Sequence, residues 1–199
     1  MNKLDGLKST KEIGDWYNKK YQEMGGAWNT PPEDCDFHLN KIAQFAEPKS
    51  LQSHMRLLDL GCGGGHFVFE AQKRFDCTGI EASTIGLEEC RKRVPTATFL
   101  EMDIEHMSFG DESFDIITSI GTLEHVVNIP AAVAECFRVL FPGGLFYVYA
   151  PNTEWIHEDQ PNEVRMDEPE WHNILLSAGF TVEYTERIRD NCIYICRKP

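Results

Sequence analysis

The sequence predicts an α/β fold, a doubly wound and mostly parallel sheet with helices on both faces, and three observations carry that reading. Short apolar runs alternate with amphipathic segments from residue 55 to residue 150, which is the pattern of right-handed βαβ units. The first of those runs ends in four glycines within the five positions Gly61 to Gly65, directly before a helix-like segment. Near the C-terminus "TVEYTERIR" and "CIYICRK" flank Asp190-Asn191 as an antiparallel hairpin.

Each element follows from local chemistry. Ser9 and Glu12 have capping-box spacing; Ile13, Trp16, Tyr17 and Met24 fall near one helical face, and Gly25-Gly26 ends the helix. A second helix covers Phe37 to Ala46, with Leu39, Ile42, Ala43 and Ala46 on one stripe and Pro48 behind it. Then come the strand "MRLLDL" and a helix from Phe67 to Phe75; "CTGIEA" and a helix from Thr84 to Arg93; "ATFLEM"; "FDIITSI" and a helix from Pro130 to Leu140; and "LFYVYA". Pro142-Gly143-Gly144 reads as a helix stop. Asp167 and Glu170 box the start of a helix that runs through Ser177 to Gly179, and residues 151–166 form the one sizeable irregular loop. The division expected is an N-terminal helical cap or lid over 1–50 and a core over 51–199, together one structural domain.

Composition narrows the function. The chain has 199 residues, 42% hydrophobic and 26% charged, ordinary for one globular domain that needs no disulfide or metal staple. Seven cysteines, an odd number with none in a C-x-x-C pair, argue against a disulfide framework or zinc ribbon and for a reduced, cytoplasmic setting. The polar start and the lack of a long apolar run argue against a signal peptide and a membrane span. A formal net charge of -13 disfavours nucleic acid as partner, because binding to phosphate backbones needs concentrated Lys and Arg.

The glycines lie where a first strand turns into a first helix, the place at which doubly wound sheets bind ligands. Glycine admits positive φ and lets a ligand approach the main chain. A nicotinamide fingerprint would need a third glycine where the chain has His66. What stands here is Asp59-x-Gly61-x-Gly63-x-Gly65, which resembles motif I of the class I S-adenosylmethionine-dependent methyltransferases. The resemblance extends through "GIEAS", "EMDIEHMSF", "DESFDIITSIGTLEHV", "RVLFPGGLFYVYAPN" and "LLSAGF", most of the chain.

The family implies a seven-stranded sheet in the order 3-2-1-4-5-7-6 with strand 7 antiparallel. Its cofactor is S-adenosyl-L-methionine, converted to S-adenosyl-L-homocysteine. By the same resemblance, Asp59 helps hold the methionine amino group, and Gly61, Cys62, Gly63 and Gly65 form the turn that admits the methionine tail. Main chain around Ser119 and Ile120 completes that end. Glu81, 20 residues beyond Gly61, binds both ribose hydroxyls, a role suited to two carboxylate oxygens. Asp103 accepts from the adenine amino group, and Ala82, Met102 and Ile104 wall the base.

A sulfonium is already an activated methyl donor, so the protein has to align an acceptor and exclude water. An acceptor that must lose a proton needs a base; His125, with Glu124 beside it in "GTLEHV", is the candidate, and Asp36 and His38 are weaker ones. Trp28, Trp155 and Tyr21 are the candidate substrate contacts, and His66 is expected to be a neutral neighbour of the cofactor because a helix N-terminus disfavours a cation. The function expected is methyl transfer to an O, N or C nucleophile of a small molecule. The alternatives are a catalytically degenerate binding or activating subunit, or a protein or RNA acceptor. A nicotinamide-dependent reductase is the weakest reading, since the one Tyr-x-x-x-Lys pair, Tyr194 and Lys198, lies in the last strand. Oligomeric state is left open.

Overall fold

The structure is a computed structural model, and it describes residues 7–28, 30–46, 55–154 and 162–199. Its centre is a seven-stranded sheet in the order β3-β2-β1-β4-β5-β7-β6. The strands are β1 (Arg56–Leu60), β2 (Asp76–Glu81), β3 (Thr98–Glu101), β4 (Phe114–Ile120), β5 (Leu140–Pro151), β6 (Thr181–Ile188) and β7 (Asn191–Arg197). β1 to β5 pair in parallel, whereas β7 runs antiparallel to both β5 and β6. The expected sheet order and the reversed seventh strand are therefore both present.

The helices are α1 (Thr10–Met24), α2 (Pro32–Phe45), α3 (His66–Ala71), α4 (Thr84–Arg93), α5 (Ile129–Val139) and α6 (Glu168–Ser177). Strand residues alternate between the sheet's faces, and two cores result. Leu57, Ile116, Leu145 and Ile195 pack with Leu39 and Ile42 of α2, Val68 of α3 and Leu87 of α4. Leu58, Ile117, Phe146 and Tyr194 pack with Val133 and Cys136 of α5 and Trp171 and Leu175 of α6. Each fully buried aliphatic side chain of this kind contributes about 1.5–3 kcal/mol. All seven cysteines are free and buried, as part of this packing.

Capping decides the helix ends. Ser9 accepts from Glu12 N and Gly25 takes the left-handed conformation that closes α1. The Glu12 carboxylate bonds Lys8 N rather than the Ser9 main chain, so the box is only half formed. Asp167 and Glu170 make the complete reciprocal box at α6.

Four boundaries differ from expectation. α2 begins at Pro32 rather than Phe37, because proline lacks the N–H that a first turn leaves unpaired anyway and Glu33 and Asp34 favour the positive end of the dipole. α3 ends at Ala71 rather than Phe75. Pro142-Gly143-Gly144 is not a helix stop but an irregularity inside β5, where the β4 register shifts between Phe114 and Ile116. The hairpin turns at Arg189-Asp190, with Arg189 at φ 56°, and Asn191 already pairs with Ile188.

α1 lies against α4 and is pinned there by Asn18, whose side-chain oxygen accepts from Ser83 Oγ, Thr84 Oγ1 and Ile85 N at the start of α4. Close approach is possible because residue 14 is glycine: a Cβ there would stand 2.3 Å from the Ala82 carbonyl oxygen. Gly14→Ala is expected to lower the melting temperature, by about 1–3 kcal/mol of overpacking. Helix propensity alone predicts the opposite sign, a gain of about 1 kcal/mol, so a stabilised variant in a thermal melt would refute the contact.

Candidate active site

The C-terminal ends of β1, β2 and β4 open onto one cavity of about 300 Å³, roofed by Thr10, Ile13, Tyr17 and Tyr21 of α1. A chain that leaves β1 must turn sharply to enter α3, and Gly61, Gly63 and Gly65 do so at φ 63°, 51° and 76°. Their roles separate. Gly61 and Gly63 line the cavity, whereas Gly65 faces away from it and packs on Cys90, whose Sγ would be 3.1 Å from a Cβ at that position.

Two buried carboxylates flank the turn. Asp59, at the end of β1, accepts from Thr118 Oγ1 at 2.8 Å across the β1–β4 pair. Burial pushes its pKa up to about 7, against the Thr118 bond and with a contribution from the charge of Glu81. Glu81, at the end of β2, accepts from Gly63 N and Ser83 N, each at 2.9 Å. Burial also raises its pKa, opposed by those main-chain bonds. Glu81 thus holds the glycine turn to the start of α4 and still presents its carboxylate to the cavity.

Ala82, Met102, Asp103, Ile104 and Ile120 also line the cavity, as does Cys62. Cys62 N donates to Ile80 O, and its Sγ lies 3.6 Å from Cys90 Sγ. Asp103 accepts from Glu105 N at 2.9 Å and lies 3.2 Å from His106 Nδ1. Burial opposes its ionisation, but the bonds from Glu105, Thr10 and His106 prevail and hold its pKa below the ordinary value. Ser119 does not line the cavity; its Oγ is buried beneath, accepting from Leu123 N. His66 is at the wall, its pKa lowered first by burial and then by the Arg93 charge. Both causes act in the direction expected of it and are distinct from the helix dipole.

The far end of the cavity is acidic and aromatic. After β4 the chain makes a short 3-10 helix, Leu123–His125, which delivers Glu124 and His125 to the cavity. Their side chains are 3.9 Å apart, Glu124 Oε1 to His125 Nε2. Burial pushes the pKa of Glu124 up to about 8, with help from the charge of Glu163. The Tyr17 ring stands edge-on to the His125 ring at 6.2 Å. Tyr21 and the half-exposed Trp28, expected as substrate contacts, instead stand at the glycine turn, where a Cβ at Gly63 would be 4.0 Å from the Tyr21 hydroxyl and 3.7 Å from the Trp28 carbonyl oxygen, while Trp155 and His157 lie outside the described residues.

His38 is not part of this site. Its Nδ1 is 2.6 Å from the Tyr147 hydroxyl beneath α2, and burial lowers its pKa to about 4. Thr118, Thr122, Tyr149, Glu163 and Asn191 are at or beside the cavity without having been expected there. The register that sets Thr118 opposite Asp59 was the available signal for the first of these.

A methyltransferase domain model matches residues 58–148, from β1 through β5. Those residues form a methyltransferase domain. The chain is 31% identical over 183 residues to sterol 24-C-methyltransferase erg6 of Aspergillus fumigatus, covering 81% of this chain and 45% of that protein. It is 32% identical over 112 residues to the phthiotriol/phenolphthiotriol dimycocerosates methyltransferase of Mycobacterium leprae, covering 54% of this chain and 41% of that one. The chain spans about half the length of the curated relatives it matches. The fold is shared with the [4+2]-cyclase SpnF, at a TM-score of 0.76 and 18% identity over 100% of this chain and 99% of that one.

A further relative, a probable S-adenosylmethionine-dependent methyltransferase of Mycolicibacterium smegmatis, is 29% identical over 138 residues, covering 65% of this chain and 53% of that one, and its name carries S-adenosylmethionine. The cavity fits it chemically: a turn without side chains at Gly61 and Gly63, a buried carboxylate on each side of that turn and apolar walls at Ala82, Met102 and Ile104. Among the described residues no helix is long and apolar enough to cross a membrane and no three His, Cys, Asp or Glu side chains group as metal ligands.

Proposed function

We propose that this methyltransferase moves a methyl group from S-adenosylmethionine to an O, N or C nucleophile of a small molecule in a reduced, cytoplasmic setting. The observation that carries the reading is that one cavity joins the glycine turn with Asp59 and Glu81 to the His125–Glu124 pair under the roof of α1. The cofactor supplies a methyl group already activated on a sulfonium. Asp59, fixed by Thr118, would meet the cofactor's ammonium, beside main chain of Gly61, Cys62, Gly63 and the Ser119-Ile120 strand end. Glu81 would take the two ribose hydroxyls, Asp103 the adenine amino group, and Ala82, Met102 and Ile104 the base; Gly65 shapes the turn from behind.

At the acceptor end the His125–Glu124 pair receives the proton that an acceptor must lose, while Tyr21 and Trp28, which stand against the glycine turn, help enclose the cofactor side. α1 acts as the lid of the 1–50 segment over the 51–199 core, keeping water from the transfer.

Isothermal titration calorimetry with S-adenosylmethionine and, in parallel, NADH tests the reading. Micromolar binding of the first alone is expected; binding of neither would favour a degenerate scaffold, and binding of NADH alone would refute the reading. His125→Ala is expected to lower kcat by about 10²–10⁴ with cofactor affinity nearly intact. A large loss of affinity would place His125 at the donor instead.

A further inference from the structure

We infer that the acceptor end of the cavity is an ammonium-recognition subsite formed by Glu124 and Glu163, and that the acceptor is a small-molecule amine. The inference rests on the donor site proposed above and names the acceptor class for it.

The main chain brings the two carboxylates together. Val164 N donates to the Glu124 carbonyl oxygen at 2.9 Å, so the strap that carries Glu163 is fastened to the 3-10 helix that carries Glu124. Both residues line the cavity. The Glu124 side chain is 4% exposed and that of Glu163 is 1% exposed. In each, Oε2 is buried and accepts no hydrogen bond among the described residues. A buried carboxylate oxygen left without a donor is costly, whereas one paired with a charged donor is strongly stabilised. Both oxygens therefore favour a ligand that presents N–H donors and positive charge.

Among the described residues, Arg165 and His125 are the basic side chains paired with these carboxylates. Arg165 Nε donates to Glu163 Oε1 at 2.7 Å, which accounts for one carboxylate. Glu124 has His125 at 3.9 Å, the Tyr17 ring beyond it and Glu163 raising its pKa. With Glu124 ionised and His125 neutral, Glu124 and Glu163 against Arg165 leave one negative charge, which an ammonium balances. The aromatic rings of Tyr17 and Tyr149 on the same cavity add faces suited to a cation. Before attack the nitrogen has to be neutral: its N–H bond breaks, the electron pair stays on nitrogen, and the proton forms an O–H bond at Glu124 Oε2. A pKa pushed up to about 8 suits Glu124 to that exchange.

The test uses the whole chain loaded with S-adenosylhomocysteine, titrated with phenethylamine, tryptamine and hexylamine and with the matched alcohols 2-phenylethanol, tryptophol and 1-hexanol. At least one amine is expected to bind about tenfold or more tighter than its alcohol, and Glu163→Gln is expected to abolish that preference. S-adenosylhomocysteine affinity should stay within about twofold in the variant. Equal binding of amine and alcohol, binding of no amine, or a preference that survives Glu163→Gln would each overturn the inference. So would a variant that loses S-adenosylmethionine but keeps S-adenosylhomocysteine, because the carboxylates would then serve the sulfonium. Failure of wild type to bind S-adenosylhomocysteine would instead refute the donor site itself.

Discussion

Replacing Glu81 by alanine is expected to weaken S-adenosylmethionine binding by about 1–3 kcal/mol, a rise in Kd of about fivefold to 150-fold. The physical reason is twofold. A vicinal diol offers two O–H donors, and a carboxylate fixed at the end of β2 meets both without reorganising. The same side chain accepts from Gly63 N and Ser83 N at 2.9 Å each, so its removal leaves two main-chain donors without their partner and loosens the turn. Glu81→Gln separates the parts: its one carbonyl oxygen can keep a single acceptor role, and an intermediate affinity is expected. Titration calorimetry well below the melting temperature reads both variants, and unchanged affinity in Glu81→Ala would defeat the ribose assignment.

Gly61→Ala is expected to raise the Kd for the cofactor by about a hundredfold or more and to lower the melting temperature. Residue 61 sits at φ 63°, a conformation that costs an L side chain about 1–2 kcal/mol. A Cβ would also stand 2.5 Å from Thr122 Cγ2 and 2.6 Å from Thr122 Oγ1. Thr122 cannot yield without cost, because its Oγ1 donates to Leu60 O at 2.9 Å and so joins the turn after β4 to the end of β1. Overpacking of this kind adds about 1–3 kcal/mol. Gly143→Ala is the matched control: φ is 75° there, and nothing stands within 4 Å of the added carbon. Gly143→Ala should lose only the conformational part of the stability and none of the affinity. Equal effects of the two variants in melts and calorimetry would show that the Thr122 contact is unimportant.

Much of this molecule is legible locally. The glycine turn, the acidic residue closing β2 and the caps at Ser9, Gly25 and Asp167 depend on neighbours within a few residues, so the chain declares them directly. The sheet order was legible through resemblance rather than periodicity. α2 was misplaced at its start because "PPEDC" shows no apolar stripe, although proline at a first turn is a helix signal in its own right. The role of the Pro-Gly-Gly stretch was misjudged because the antiparallel partner that draws it into the sheet lies some fifty residues away, where Lys198 O accepts from Gly143 N.

The sequence by itself determined the fold class, the cofactor-type turn and the presence of a Glu-His pair after β4, because each is written in adjacent residues whose conformational preferences do not depend on the rest of the chain. Only the tertiary structure decided that Thr118 fixes Asp59, that Asn18 ties α1 over the cavity, and that Glu163 comes beside Glu124. Those contacts join residues about 40 to 67 positions apart. Their energy is gained only after strand register and helix docking have brought the partners within hydrogen-bonding range, and no local pattern encodes that meeting.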